Sequence, residues 1–251
     1  MTPTLYLRCN PGDVAPLVLL TGDPARVDRI AEMLDQARVV SRNREYVVAT
    51  GEYRGQPISA VSAGIGAPST AIALEELTRL GLRAVVRVGT MMGVHAPMGT
   101  AVISTGAARF EGTSGAYLPL AYPAIPDWYL SQALAEAGRD HHLDVRLGLT
   151  VTQDAFYPSM APSLVKRGTL DLHVPRRAGA LALDMESSLV CVMGMTLGFA
   201  AAVMCLVTVQ AEPFTTLESD SRAALEAQLI AAVFDGLIGF DKNRESQDRN
   251  R

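Results

Sequence analysis

The sequence has few of the residues that mark disulfide-bonded or metal-binding proteins. Its 251 residues include three cysteines and four histidines. An odd number of cysteines, two of them in apolar surroundings, predicts core thiols in a reducing cytoplasm and not a disulfide framework. The histidines do not have the spacing of a zinc site.

Excess positive charge and long apolar runs are also absent. The formal net charge of −4 gives no reason to expect a nucleic acid partner. The first ten residues lack the basic and apolar regions of a leader, and each long apolar run is interrupted by glycine, proline or charge. We therefore expect a cytoplasmic protein with no membrane segment.

The hydrophobic content of 49% supports a sizeable core, and no linker-like stretch divides the chain. A single domain is expected over residues 1–240, followed by a polar tail, 241–251, with nothing to bury and therefore mobile. The periodicity predicts strands over 17–20, 47–53, 56–62, 84–90, 101–105, 147–152 and 200–209, and helices over 27–34, 68–81, 127–137, 186–197 and 222–237. Alternating strands and helices predict an α/β fold, with a mainly parallel central sheet covered by helices on both faces.

Arg87 lies at the end of an otherwise apolar predicted strand and is followed by Gly89 and Thr90. A buried cation needs an anion, and open α/β sheets bind ligands at the carboxyl ends of their strands. A guanidinium beside a hydroxyl suits a phosphate. For this segment alone, an ion pair with a structural carboxylate is an equal alternative.

Two other segments place polar groups where a strand meets a helix. Gly22 and Arg26 flank such a junction, where backbone N–H groups and the helix dipole attract anions, although a solvated first-turn arginine is the simpler explanation of this motif alone. Asp184 and Glu186 follow an apolar stretch, so Glu186 could accept hydrogen bonds from a vicinal diol. Capping of the next helix by Asp184 or Ser187 is the alternative.

Taken together, these segments resemble the nucleoside phosphorylase family, which contains uridine phosphorylase and the hexameric purine nucleoside phosphorylases. Five motifs occur in the family's order: GDPAR at 22–26, SAGIGAPS at 62–69, RVGT at 87–90, DAFYP at 154–158 and DMES at 184–187. The DAFYP segment makes the uridine phosphorylase branch the most similar one.

The resemblance implies a pentosyltransferase that converts a nucleoside and inorganic phosphate into a free base and ribose 1-phosphate, with Arg87 and Glu186 as catalytic residues. It also implies a homo-oligomer, a hexamer built from dimers, and a monovalent cation such as K⁺ between subunits, with no other cofactor. The implied phosphate ligands are Gly22, Arg26, Arg87 and Thr90, with Arg44 from a neighbouring subunit. The implied ribose and base contacts are Tyr6, Phe156, Asp184, Met185 and Glu186, and the implied cation ligands are Glu45, Ile65 and Ser69.

The sequence departs from the family at the base. Met160 and Pro162 stand where uridine enzymes carry Gln and Arg, and neither can make their hydrogen bonds to uracil. Ala211 stands where uridine enzymes have Arg and purine enzymes Asp, and Asp184 replaces a Glu. The candidate replacements for base recognition are Gln210, Glu212, Lys166 and Arg167.

Three functions are compatible with this pattern. The first is a nucleoside phosphorylase whose base the sequence does not identify as uracil. The second is a nucleosidase that uses water in place of phosphate, although three arginines directed at one anion argue against it. The third is a non-catalytic nucleoside- or phosphate-binding protein on the same fold.

Overall fold

The computed structural model describes residues 2–155, 172–211 and 214–249, which form ten strands and six α-helices. The strands are β1 (Leu17–Thr21), β2 (Asp35–Asn43), β3 (Tyr46–Tyr53), β4 (Gln56–Ser62), β5 (Ala84–Gly93), β6 (Ala101–Phe110), β7 (Val145–Gln153), β8 (Ala182–Asp184), β9 (Ala200–Ala211) and β10 (Phe214–Thr216). The helices are α1 (Pro24–Ala31), α2 (Ala67–Arg79), α3 (Trp128–Asp140), α4 (His173–Arg177), α5 (Ser187–Leu197) and α6 (Ser219–Arg249), and a 3-10 helix covers Ser114–Ala116.

The strands belong to one mixed sheet with the order β10-β9-β6-β7-β8-β5-β1-β4-β3-β2. Because β5 pairs with β9 as well as with β8, the strands β5, β9, β6, β7 and β8 close into a ring. The strands β1, β4, β3 and β2 extend from β5 as an open wing. Neighbours run parallel from β4 through β1 and β5 to β9, which brings the carboxyl ends of these four strands to the same edge.

Two hydrophobic clusters cover the two faces of the wing. On β1, Leu17 and Leu19 pack into the cluster that contains α1, α3 and α6, whereas Val18 and Leu20 pack into the cluster that contains α2 and α5. This alternation follows from the two-residue period of a strand, and the strand is apolar throughout because both of its faces are covered.

The predicted α/β class, with helices on both faces, is confirmed. The sheet is parallel along β4-β1-β5-β9 and β6-β7-β8, and antiparallel where β5 meets β8, where β6 meets β9, and at the two ends of the sheet. It is therefore mixed, because closing the ring places β6, β7 and β8 in the opposite direction to β5 and β9.

The largest differences from the predicted elements lie in polar segments. Strand β2 has no apolar alternation and is mostly exposed, so the hydrophobic period does not predict a strand there. Helix α6 continues to Arg249, through part of the segment expected to be a mobile tail. Asp241 within that segment is buried and pairs with Arg83 at 2.7 Å, so the polar end has a tertiary partner that composition does not reveal.

By length and composition alone, the Ser219–Arg244 part of α6 is sufficient to cross a membrane. In this fold its apolar side chains, among them Leu229, Val233 and Leu237, are buried against the sheet and α3. The apolar character of α6 is thus explained by its place in the core.

Candidate active site

A cleft of about 790 Å³ opens at the carboxyl ends of β1 and β8, beside the middle of β5. The strand ends, the starts of α1 and α5, and the first turns of α6 all contribute to it. The lining residues are Gly22, Asp23, Pro24, Arg26, Ile65, Arg87, Gly89, Thr90, Asp154, Ala155, Asp184, Met185, Glu186 and Arg222.

Arg26 enters the cleft from the first turn of α1. The helix begins at Pro24, and the Asp23 side chain caps it by accepting from the Ala25 N–H at 2.9 Å. Arg26 is buried, with Nη1 donating to Thr21 Oγ1 at 2.7 Å and Nη2 donating to Glu226 Oε1 at 3.1 Å. It is therefore a fixed cation and not the solvated first-turn residue that the motif alone suggested.

The loops after β1 and β4 meet beside Arg26. A Cβ on Gly22 would lie 2.9 Å from the carbonyl oxygen of Gly64, which is closer than side chains approach. Glycine at position 22 thus lets the two loops touch and keeps the cleft floor open.

Arg87 lies in the middle of the parallel sheet, where β5 runs between β1 and β9. Its Nη1 donates to Cys205 Sγ at 2.9 Å, while its Nη2 forms a close ion pair with Glu186 and lies 3.2 Å from Asp184 Oδ2. Burial is the largest single influence and lowers the pKa of Arg87, but the nearby acidic groups of Glu186, Cys205 and Asp184 together outweigh it, so the pKa lies well above its usual value. Arg87 is a permanent cation with two carboxylate partners.

Gly89 provides the space that the Arg87 side chain occupies. Residues 87 and 89 lie on the same face of β5, and a Cβ on Gly89 would lie 2.6 Å from Arg87 Nη1. The glycine therefore allows the guanidinium to lie against its own strand.

Asp184 and Glu186 have different roles at the start of α5. Asp184 accepts from the backbone N–H of Ser187 at 3.2 Å and from its hydroxyl at 2.7 Å, and from Thr152 Oγ1 at 3.1 Å. Asp184 thus binds the first N–H group of α5 from two residues before the N-cap residue, Glu186. Burial raises the pKa of Asp184 despite the opposing charge of Arg87. Glu186 instead accepts from the Gly66 N–H at 2.6 Å with one oxygen and meets Arg87 with the other. The contact of Asp184 with Ser187 corresponds to the capping alternative for this segment, and the contact of Glu186 with a vicinal diol stays a prediction.

Four of the predicted site residues in the cleft lie where a strand ends and a helix begins, namely Gly22, Arg26, Asp184 and Glu186. Two further predicted residues, Arg87 and Thr90, line the cleft from within β5. Met185, predicted to contact the sugar, also lines the cleft.

Arg44 and Tyr6 lie together on another part of the surface. Arg44 is exposed in the β2–β3 turn, with its guanidinium carbon 5.8 Å from the centre of the Tyr6 ring. Tyr6 packs edge-on against Tyr46 at 5.7 Å, and its backbone N–H donates to Glu76. Neither predicted residue lines the cleft of its own chain.

The three predicted cation ligands are neighbours in space. Ser69 Oγ donates to the Ile65 carbonyl at 3.2 Å, and a Cβ on Gly64 would lie 2.8 Å from Glu45 Cγ and 3.6 Å from Ser69 Oγ. Ile65 is 76% exposed. Within residues 2–155, 172–211 and 214–249, no group of three His, Cys, Asp or Glu side chains has the arrangement of a metal site.

The base half of the site is described only in part. Gln210 does not line the cleft, and its amide donates to the Ala96 carbonyl at 2.8 Å. Phe156 lies outside the described residues, as do Met160, Pro162, Lys166, Arg167 and Glu212.

Two residues that the sequence analysis missed contribute strongly to the cleft. Arg222 lines it, and the buried Glu226 accepts from both Arg222 and Arg26. Their spacing of four residues on a helix was a local sign of a pair, but only the fold brings α6 to the start of α1. Asp154, quoted within a motif but given no role, also lines the cleft.

The family model for the phosphorylase superfamily matches residues 16–239. This chain belongs to the phosphorylase superfamily. The match runs from before β1 into α6 and includes every residue that lines the cleft.

Similar proteins share most of their length with this chain. A uridine phosphorylase of Thermococcus kodakarensis is 36% identical over 241 residues, which cover 90% of this chain and 83% of the relative. A guanosine phosphorylase of Halorubrum lacusprofundi is 37% identical and covers 80% of this chain and 81% of its own length. The uridine phosphorylase of Escherichia coli is 32% identical, with coverages of 80% and 82%. Relatives named for a pyrimidine nucleoside and for a purine nucleoside are thus similar to this chain to the same degree.

Proposed function

We propose that this phosphorylase superfamily member cleaves a nucleoside with inorganic phosphate, giving the free base and ribose 1-phosphate. The observation that carries the proposal is the convergence of two buried arginines, Arg26 and Arg87, with Thr90 and the Glu186 carboxylate on one cleft. Two cations and a hydroxyl suit a phosphate dianion, and a carboxylate suits the hydroxyls of a sugar.

The reaction needs the phosphate held beneath the anomeric carbon of the sugar. Cleavage of the glycosidic bond leaves positive charge on the ribose and negative charge on the base, and the phosphate oxygen then forms the new bond to the anomeric carbon. Arg26 and Arg87 would fix the nucleophile in line, and positioning of this kind contributes roughly 7–11 kcal/mol in favourable cases.

Glu186 links the phosphate half and the sugar half of the site. It shares Arg87 with Asp184, so a phosphate that approaches Arg87 meets a guanidinium already oriented from behind. Its carboxylate is also the group that would accept hydrogen bonds from the ribose hydroxyls. Asp184, which accepts from the first N–H group of α5, would then act by holding the start of that helix in place.

A homo-oligomer, a hexamer built from dimers, is part of the proposal. Arg44 is exposed and away from the cleft of its own chain, which fits an arginine that completes the phosphate site of a neighbouring subunit, with Tyr6 beside it. The cluster of Glu45, Ile65 and Ser69 would hold K⁺ at the same contact. The cytoplasm stays the predicted location.

We further propose that uracil is not the preferred base. Met160, Pro162 and Ala211 replace the groups that would read its edge. A pocket with few hydrogen-bonding groups discriminates by only ~10–200-fold for a methylene-sized difference, so we expect a broad or shifted specificity. Steady-state kinetics on uridine, thymidine, inosine and adenosine test this. A preference for uridine of about a thousandfold, as a hydrogen-bonding site produces, would contradict it.

The proposed reaction is tested by measuring base release from these nucleosides with and without phosphate. We expect release to require phosphate and to be lost in Arg87→Ala, because one charge-assisted contact contributes about 1.5–3 kcal/mol and its loss also frees Glu186. Release without phosphate would indicate a nucleosidase, and binding without release would indicate a binding protein. Unchanged phosphate affinity in Arg87→Ala would remove this residue from the site.

A further inference from the structure

A buried carboxylate on the closing helix faces the arginines of the phosphate half of the cleft. Glu226 is 6% exposed. Its Oε1 accepts from Arg26 Nη2 at 3.1 Å and from Arg222 Nε at 2.9 Å, and its Oε2 accepts from Arg29 Nη2 at 3.3 Å. Each of its two oxygens is therefore committed to a guanidinium.

Two of these three arginines line the cleft. Arg26 reaches it from α1 and Arg222 from α6, whereas Arg29 is half-exposed and also pairs with Asp23 at 3.2 Å. Glu226 therefore lies behind two cations that face one anion site from two separate helices.

The contacts of Arg26 show how it is held. Nη1 is fixed by Thr21 from the end of β1, and Nη2 is fixed by Glu226. These contacts use one donor of each Nη group, and a guanidinium has five N–H donors. Thr21 and Glu226 therefore fix the orientation of the group and leave other N–H donors for a ligand in the cleft that Arg26 lines. A guanidinium fixed in this way loses less freedom when it binds an anion.

We infer that Glu226 is a positioning residue for phosphate: it orients Arg26 and Arg222 toward the cleft and so makes the first turns of α6 part of the phosphate site. The inference rests on the proposed function for the identity of the anion. It assigns to α6 a role in binding that is separate from its role in the core.

A residue that orients the arginines and a residue that acts only by its charge should change phosphate affinity in opposite directions when they are replaced. Removing a negative charge next to an anion site would strengthen anion binding if charge alone mattered. If Glu226 orients the arginines, its removal weakens phosphate binding. The substitution Glu226→Gln keeps the shape and removes the charge, so it separates the two outcomes.

We expect Glu226→Gln to raise the phosphate KM about tenfold, as loss of one charge-assisted contact does, with the nucleoside KM changed less than twofold. Glu226→Asp keeps the charge and should give an intermediate phosphate KM, and it provides the measurement if the Gln variant does not fold. Glu218→Gln, an exposed glutamate just before α6, is the matched control and should behave as wild type.

The decisive comparison uses a background that carries both Arg26→Ala and Arg222→Ala, with phosphate affinity measured both by kinetics and by calorimetric titration of inorganic phosphate. If Glu226 acts through these two arginines, adding Glu226→Gln should change the phosphate affinity of this background by less than threefold. A full tenfold further loss there, an unchanged affinity in the single variant, or a tighter one would overturn the inference. Should wild type bind phosphate but cleave no nucleoside, the titrations still decide the role of Glu226, and only the proposed function fails.

Discussion

Replacing Gly89 by alanine should damage the phosphate site through one methyl group. The added Cβ would lie 2.6 Å from Arg87 Nη1, whereas comfortable contact begins near 3.4 Å, so this nitrogen must move by about 0.8 Å. The nitrogen is not free to move, because it donates to Cys205 Sγ at 2.9 Å while the other Nη group is paired with Glu186.

The size of the effect follows from these contacts. Disrupting one charge-assisted hydrogen bond costs about 1.5–3 kcal/mol, which corresponds to a ~10- to 150-fold lower kcat/KM for phosphate. The fold should lose about 1–3 kcal/mol from overpacking next to the guanidinium. A stability loss of this size leaves a protein with about 5–15 kcal/mol of total stability folded, so the fall in activity is expected in samples that remain folded.

The assay is steady-state phosphorolysis at varied phosphate, together with urea unfolding of the same samples. Gly115→Ala is the matched control, because a Cβ there would have no atom within 4 Å. If Gly89→Ala retained kcat/KM for phosphate within twofold of wild type, then either Arg87 would not contact phosphate or its position would not matter.

Three further results are expected. Mixing equal amounts of inactive Arg44→Ala and Glu186→Ala subunits should restore about a quarter of the wild-type activity, because a mixed dimer has one intact site, and a fully active monomer would contradict shared sites. Burial raises the pKa of the Cys191 thiol to about 12, and the other two cysteines are also buried, so a thiol reagent should label none of the three until the protein is unfolded. Burial is the largest single influence on the pKa of Glu226 and raises it, but the charges and hydrogen bonds of Arg26 and Arg222 together lower this pKa in the fold. The stability that this carboxylate provides is therefore present above its ordinary pKa of 4.5 and is lost as the pH falls through the lower folded value. In urea unfolding, the advantage of wild type over Glu226→Gln should therefore shrink on acidification, and a constant difference would argue against a charged Glu226.

The sequence predicted the site best where a functional residue stands out against its local sequence. Arg87 in an apolar strand could be recognised because burial of a charge is unfavourable without a partner, and the structure shows that its partners are Asp184 and Glu186. The contact of Asp184 with the first residue of α5 followed from its place before the helix, although the segment did not indicate that Glu186 would be the N-cap residue or which carboxylate would face Arg87.

What could not be predicted depends on contacts between distant segments. Glu226 is 200 residues from Arg26, and no local pattern indicates that α6 would pack beside α1. Strand β2 lacks an apolar period because it is an exposed edge, and its pairing with β3 is specified by the backbone. The ring of strands depends on β8, three residues long, which is too short to show any period.

The most direct measurement is phosphorus NMR of a reaction that contains inorganic phosphate and a nucleoside that the protein cleaves. It shows whether phosphate is the nucleophile or is left unchanged. We predict that the inorganic phosphate signal is replaced by that of a ribose 1-phosphate in an amount equal to the base released, and that Arg87→Ala abolishes this conversion. Release of base with the inorganic phosphate signal unchanged would show that water attacks the sugar, and would contradict the role assigned to Arg26 and Arg87.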